Sequence, residues 1–254
     1  MRNVSVADYD HLAVDVLPIG TEYPSDVLLP RHEHRRAQLL YGASGVMLVE
    51  TDDGTWTVPT DRAVLVPPRT PHEVRMLGVT TWSLYIEPGA VPWWPTTCTV
   101  VEVGRLLREL LRAANDLDVH DAPTARDGAL LRLVLHELQR VSPVPLTVPL
   151  PHDDPLRQLC RDYLGTPDAT VTNTDWARAV AMSERTLDRQ FRVATGMSPA
   201  AWRHRARLLA SLSLLPSATV TEVASRLGYA SPAAFTAAFT RALGQPPSRF
   251  RQSA

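Results

Sequence analysis

The sequence has no lysine, so all 26 of its basic side chains are arginine. It has only two cysteines, Cys98 and Cys160, far apart and with no second cysteine at metal-binding spacing. That excludes a disulfide framework and a zinc knuckle, leaves both thiols as small buried hydrophobes, and fits a reducing cytoplasm. No run of 18 apolar residues is present, which argues against a membrane partner. The first twenty residues carry Asp8, Asp10 and Asp15, the wrong charge for a secretory leader. Low-complexity tracts are also missing, and 44% hydrophobic with 21% charged residues is a globular composition.

What is present is unevenly distributed. The chain of 254 residues has a formal charge of −1, but residues 1–150 sum to −6 and residues 151–254 to +5. A basic C-terminal part joined to an acidic N-terminal part suggests that one of them meets a polyanion. An unevenly solvated surface is the plainer reading of the same numbers.

Residues 45–87 read as β. GVMLVE, TWTV, AVLVPP, HEVRML and TTWSLYIE are short runs of Val, Leu, Thr and Trp, broken by Asp53-Gly54, Pro59 and Pro67-Pro68. Asp-Gly between two such runs is a hairpin signal, and the spacing suggests a small barrel or sandwich. After Pro95 the period changes. Leu106, Leu107, Leu110 and Leu111 share one helical face, as do Leu130, Leu131, Val134, Leu135 and Leu138. These stripes either cover the barrel or form a dimer seam. Residues 142–154 are proline-rich, so they are expected to be extended and to belong to neither core.

The strongest signal is an internal repeat. Ser183, Leu187, Phe191, Gly196 and Pro199 recur 48 residues later as Ser231, Phe235, Phe239, Gly244 and Pro247. Each unit reads as a serine-capped helix with two apolar residues facing inward and a glycine at its end. A short helix precedes each: Asp175–Ala181 after Thr174, and Val220–Leu227 with Thr219 and Glu222 as a capping box. Helix, tight turn and capped helix make a helix-turn-helix unit, whose second helix lies in the DNA major groove. Pro199–Leu215 joins the two as one helix of roughly 25 Å, which holds two reading helices about one DNA turn apart. A helical bundle that binds no DNA is the plain alternative. The arginines speak against it: Arg185, Arg189 and Arg192 on the first reading helix, Arg203, Arg205 and Arg207 on the connector, and Arg241, Arg249 and Arg251 at the end. Such side chains suit phosphates and guanine edges.

These residues, with Trp176-Ala177, Arg207-Leu208, Val223-Ala224 and Leu227-Gly228-Tyr229, make the segment from about 155 to 251 resemble the DNA-binding domain of AraC/XylS regulators. The resemblance implies base contacts from Arg185, Asp188 and Arg189 in the first unit. In the second it implies contacts from Pro232, Ala233, Thr236 and Ala237, of which only Thr236 is polar. The first unit is therefore expected to make most of the sequence choice. The expected DNA-binding set is Arg185, Asp188, Arg189, Arg192, Arg203, Arg205, Thr236 and Arg241.

In the N-terminal part, His32-Glu33-His34 precedes the strands and His72 follows Pro67-Pro68-Arg69-Thr70-Pro71. HxH, short strands and PxxxPH resemble the cupin barrel, here of the kind fused to AraC-type domains. In metal cupins the two histidines, a nearby Glu and a later His hold one divalent ion. On this chain those positions fall on His32, His34, Gln38 and His72, with Gln in place of the carboxylate. A divalent transition metal ion is one occupant this implies. A metal-free effector pocket and plain polar residues at a barrel mouth are the others.

The expectation is an α+β multidomain regulator that is not an enzyme. Its parts are a cupin-like β-barrel sensor over 1–95, a helical dimerisation segment over 96–141, a linker over 142–154, and an all-α domain of two helix-turn-helix units over 155–254. Its expected partners are double-stranded DNA, a small-molecule or metal effector and a second copy of itself in the cytoplasm. The rival is a metal-dependent cupin enzyme fused to a DNA-binding tail.

Overall fold

Strand β1 (Val16–His32) runs antiparallel along the whole of β6 (His72–Ile86), from Val16 opposite Ile86 to His32 opposite His72. The computed structural model in which this ladder is seen describes residues 8–118 and 124–250. The chain divides into two units, one of residues 1–49 and 58–144 and one of residues 50–57 and 145–254.

In the first unit β2 (Ala37–Tyr41) pairs with the far end of β6 and, on its other side, with β5 (Arg62–Val66). β3 (Val46–Glu50) neighbours β6, and β7 (Thr99–Glu102) closes on β5. The result is an antiparallel, nearly closed barrel. β2 and β5 are buried along their whole length because they are covered on both faces. One cover is the pair α1 (Arg105–Asn115) and α2 (Ala125–Leu138), the latter started by a Thr124–Asp127 capping box. Leu107, Leu111, Val134 and Leu138 join Leu39, Tyr41, Leu65, Leu84 and Ile86 in one apolar core. The expected four-leucine face of α1 is narrower than its spacing suggests: Leu107 and Leu111 are buried, whereas Leu106 is 54% exposed. The two runs HEVRML and TTWSLYIE form a single strand that passes through Gly78.

In the second unit β4 (Gly54–Pro59) pairs with β8 (Thr147–Pro149), with Thr55 opposite Val148 and Trp56 opposite Thr147. The proline-rich tract expected as a free linker is thus extended but not free. Leu146, Val148 and Leu150 alternate with polar residues and prolines, and the period of two buries all three. Proline costs a strand only its N–H, so a three-residue edge strand tolerates it.

Seven helical segments follow. α3 (Asp154–Gly165) starts at Asp153, whose carboxylate accepts from the Leu156 N–H. The first helix-turn-helix is α4 (Asn173–Ala179) and α5 (Glu184–Thr195), and the second is α7 (Val220–Arg226) and α8 (Pro232–Leu243). α6 (Pro199–Leu214) joins them, and a short 3-10 turn, Pro247–Phe250, ends the described chain. Ser183, Ser198, Thr219 and Ser231 all cap as their positions predict, and Gly196 and Gly244 close α5 and α8 in the left-handed conformation. The cap of α4 differs from the expectation. Thr172, not Thr174, forms a capping box with Asp175, which starts the helix at Asn173. Trp176, Phe191, Trp202 and Tyr163 form the aromatic core of the first helix-turn-helix, with ring centroids 5.6–6.2 Å apart. Phe235 and Phe239 do the same for the second, at 5.5 Å.

Candidate functional site

The Ser183 cap and the inward Leu187 and Phe191 fix which side of α5 faces out. Arg185 and Arg189 stand on that outer side, exposed, and their side chains make no hydrogen bond or ion pair to other described residues. Arg192 is also exposed but is paired with Asp188 one turn earlier, Nε to Oδ2 at 2.8 Å. The pair lays both side chains along the helix, as an exposed i,i+4 ion pair does. α8 has the same scaffold with another surface. Pro232, Ala233, Thr236, Ala237, Thr240 and Arg241 line a shallow open depression whose wall is mostly methyl groups. Thr236 is half-buried and Arg241 is exposed at the end of the helix.

Two of the expected DNA contacts point elsewhere. Arg203 is 4% exposed, lies 4.6 Å over the Trp176 ring and donates to Asn173 Oδ1 at 2.8 Å. Arg205 donates to the carbonyls of Thr147 and Pro145 at 2.6 and 2.8 Å. Burial lowers the pKa of both guanidiniums. These contacts fasten α6 within its own unit. Arg207 is likewise turned inward, donating to the Tyr163 hydroxyl at 3.1 Å. Arg249 is exposed, and Arg251 lies outside the described residues.

The barrel brings the three histidines together. His32 and His72 are cross-strand partners, and His34 lies in the turn between β1 and β2. Their ring centroids are 4.4 Å (His32–His72), 5.2 Å (His34–His72) and 6.3 Å (His32–His34) apart. Each Nδ1 lies against a main-chain carbonyl: Pro30 at 2.8 Å, Arg36 at 2.7 Å and Thr70 at 2.7 Å for His32, His34 and His72. A carbonyl only accepts, so each Nδ1 carries the proton, and a neutral ring then has its lone pair on Nε2. Burial favours that neutral form by lowering the pKa of His34 and pushing that of His72 down to about 4.

Gln38 is adjacent, but its amide is committed. Its Oε1 and Nε2 positions lie 3.0 Å from His34 Nε2 and 2.9 Å from the Tyr85 hydroxyl. The two ends of an amide have the same shape, and a neutral His34 requires the amide nitrogen to face the ring. Tyr85 then donates to the amide oxygen. Gln38 therefore props His34 instead of presenting a ligand beside it. Among the described residues no group of three or more His, Cys, Asp or Glu is arranged to hold a metal ion.

Tyr85 is part of the cluster, with its ring edge-on to His34 at 5.1 Å, and the sequence reading missed it. Only the β2–β6 register, which sets Tyr85 opposite Gln38, reveals it. The reading also missed the clamp beside the cluster. Arg36, completely buried, donates to the carbonyls of Leu12 and Val14 and pairs with Asp10 and Glu87.

With this geometry in place, comparison with known proteins decides the family. Residues 13–185 match the profile of an AraC-like ligand binding domain, and residues 176–253 match a helix-turn-helix domain profile. The chain belongs to the AraC family of transcriptional regulators. The HTH-type transcriptional regulator NimR of Escherichia coli (strain K12) is 30% identical over 223 residues, covering 87% of this chain and 81% of NimR. RipA of Corynebacterium glutamicum is 33% identical over 105 residues, 41% of this chain and 32% of RipA. The DNA-binding domain of AdpA, solved in complex with a target DNA, is 36% identical, covering 39% of this chain and 91% of that one, with a TM-score of 0.36. ToxT of Vibrio cholerae matches at 11% identity over 93% of this chain and 97% of its own, with a TM-score of 0.39.

This AraC-type chain thus has an N-terminal ligand-binding domain and a DNA-binding helix-turn-helix domain. Its relatives are transcriptional regulators, so the alternative of a cupin enzyme is set aside. No described helix is long and apolar enough to cross a membrane.

Proposed function

We propose that this regulator chooses its DNA site mainly through α5 and that the histidine cluster is its effector site. The observation that supports the first part is the inequality of the two reading helices. α5 presents Arg185 and Arg189 with no internal partner, while α8 presents methyl groups, Thr236 and a terminal Arg241. Arginine reads guanine through two parallel hydrogen bonds, whereas a methyl surface offers only apolar contact to thymine or sugar. α8 then mainly supplies shape and phosphate contacts, with Arg192 and Arg241 as positioning cations.

For the effector, the three Nδ1–carbonyl contacts are the supporting observation. The same arrangement orients histidine ligands in metal sites, fixing the tautomer and aiming Nε2 outward. The Nδ1 contacts leave Nε2 as the donor atom of His32 and His72, and His34 joins them when Gln38 turns aside. Three imidazole nitrogens would select a divalent ion such as Zn²⁺, Ni²⁺ or Co²⁺, provided the rings converge further than they do here, where they form no metal-holding group. A hydrogen-bonding small molecule is the second reading, supported by the Gln38 amide already at His34 Nε2. The exposed leucines Leu106 and Leu133 on α1 and α2 support a homodimer through the helical segment.

The test is DNA affinity of the full chain with chelator and with each ion, on a duplex recovered from a random-sequence library. Under this reading one of the ions shifts the affinity severalfold and a His32→Ala, His72→Ala variant does not respond. Equal affinity under every condition, with no ion bound, transfers the site to a small molecule.

A further inference from the structure

The DNA-binding unit is discontinuous. It takes residues 50–57 from between β3 and β5, far from the rest of its sequence. This excursion is fastened at several levels. β4 pairs with β8, the Thr57 N–H donates to the Leu146 carbonyl at 2.9 Å, and the Leu150 N–H donates to that of Asp53 at 3.1 Å. A side chain on Gly54 would meet the Val148 carbonyl at 2.8 Å, so the close approach of the two segments requires glycine there. Ion pairs lock the outside. Arg161 Nε donates to Glu50 Oε1 at 2.7 Å, and the largely buried Arg157 reaches the Asp52 carbonyl and lies 3.6 Å from its carboxylate. β8 is in turn tied to α6. Trp202, wholly buried, donates its indole N–H to the Pro149 carbonyl at 2.7 Å, and Arg205 holds the carbonyls of Pro145 and Thr147.

The order of attachment is therefore residues 50–57, then the strap 145–151, then α6, the helix from which both reading units hang. β3 carries the main chain into residues 50–57, and the end of β4 carries it out toward β5. Any change of twist or register in those strands reaches α6 through the main-chain pairing of β4 with β8 and then through the Trp202 and Arg205 side chains that hold β8.

We propose that residues 50–57 and the strap 145–151 are the coupling element of this regulator, with Arg161, Trp202 and Arg205 as positioning residues that transmit the state of the sensor barrel to the DNA-binding helices. The inference rests on the proposed control of DNA binding from the N-terminal domain. It does not depend on which effector is used. Coupling through one element is reciprocal, so DNA bound to α5 must also change the stability of the strands joined to residues 50–57.

Hydrogen exchange on the full chain, free and bound to a duplex recovered from a random-sequence library, tests this without any effector. DNA is expected to slow amide exchange in α5, in residues 50–57 and in β3 and β5. In the Glu50→Gln, Arg205→Gln variant the slowing in α5 remains, while that in β3 and β5 falls about fivefold or more. If the double variant does not fold, Glu50→Gln alone serves, with a smaller loss in the same strands. Protection of β3 and β5 that is equal in variant and wild type overturns the proposal. So does wild-type protection confined to the helices. A chain that binds no duplex at all instead refutes the DNA-binding reading, and a chain that passes here while ignoring every metal ion refutes only the choice of effector.

Discussion

His32 and His72 face each other across the β1–β6 ladder with ring centroids 4.4 Å apart, one exposed and one 1% exposed. Strand register sets the two backbones opposite one another, just past an irregularity in the ladder between Leu29 and His32. Both rings lose conformational freedom on folding, which a ligand then does not have to repeat.

One divalent ion per chain is expected to bind, and calorimetric titration checks it. At a free concentration about 100 times its dissociation constant, the ion stabilises the chain by about 2.7 kcal/mol. His72→Ala removes the best-oriented ligand and is expected to abolish both the binding heat and the stabilisation. Retention of either in that variant places the ion elsewhere.

In the metal-free chain, stability is expected to fall on acidification. Burial lowers the folded-state pKa of His34 and puts that of His72 at about 4, against an ordinary 6.5. Below 6.5 the unfolded chain takes up protons that the folded chain refuses, so the stabilisation is complete above about pH 6.5 and is lost toward pH 4. The capping carboxylates Asp175 and Glu222 are lowered by their threonine partners, so their contribution is lost only below their ordinary values of 3.8 and 4.5. Urea midpoints between pH 7 and 5 report these two histidines together with His204, whose pKa burial also lowers. His72→Gln is expected to flatten that slope, and an unchanged slope contradicts the assignment.

On DNA, Arg185→Ala and Arg189→Ala are each expected to cost about 1–3 kcal/mol on the preferred site and to relax base choice. Thr236→Ala is expected to cost less than about 0.5 kcal/mol. Arg203→Met lowers the melting temperature but leaves the salt dependence of binding as it is, because its guanidinium is inside the unit. Anisotropy titrations at several salt concentrations separate these outcomes. A fall in the salt slope for Arg203→Met returns that residue to the interface.

Arg36→Met is expected to destabilise the first unit by about 3 kcal/mol. It removes a fully buried charge that satisfies two carbonyls and two carboxylates, and it leaves Asp10 and Glu87 facing one another with only Arg35 between them. Denaturant unfolding measures it. A loss under about 1 kcal/mol means the clamp is replaced by solvent.

The two helix-turn-helix turns give a matched pair. Ala181 (φ 53°) in the first and Gly228 (φ 72°) in the second are both left-handed. A Cβ in that conformation costs roughly 1–2 kcal/mol. Ala181→Gly is expected to raise the melting temperature by a few degrees. Gly228→Ala is expected to lower it by more, because the new methyl meets the Ala169 Cβ at 2.3 Å. Equal and small effects at both positions dismiss this account.

What could be read from the sequence was what is local. Caps, closing glycines and inward aromatics depend on residues a few positions apart, so the repeat disclosed both helix-turn-helix units, missing only the Thr172 cap. The HxH pair and His72 were legible because HxH and PxxxPH resemble the cupin pattern, although His34 lies in the turn after β1 and not on the strand. β1 was not, because Pro18, Pro24 and Pro30 interrupt its pattern and its partner lies some fifty residues on. Tyr85 needed a register that no local pattern encodes. Arg203 and Arg205 look like surface cations on α6 until β8 and Trp176 are seen against them. The tract at 142–154 misled for the same reason: its prolines advertise a linker, and only the alternation of Leu146, Val148 and Leu150 betrays a strand.

Because the DNA-binding unit borrows residues 50–57, synthesis and folding fall out of step. Those residues leave the ribosome early, and all of 58–144 must follow before β8 arrives. At about 5–20 residues per second, β4 waits for several seconds with an unpaired edge. The same discontinuity sets a rule for dissection: a fragment beginning at residue 145 carries both reading helices but lacks one strand of its own fold.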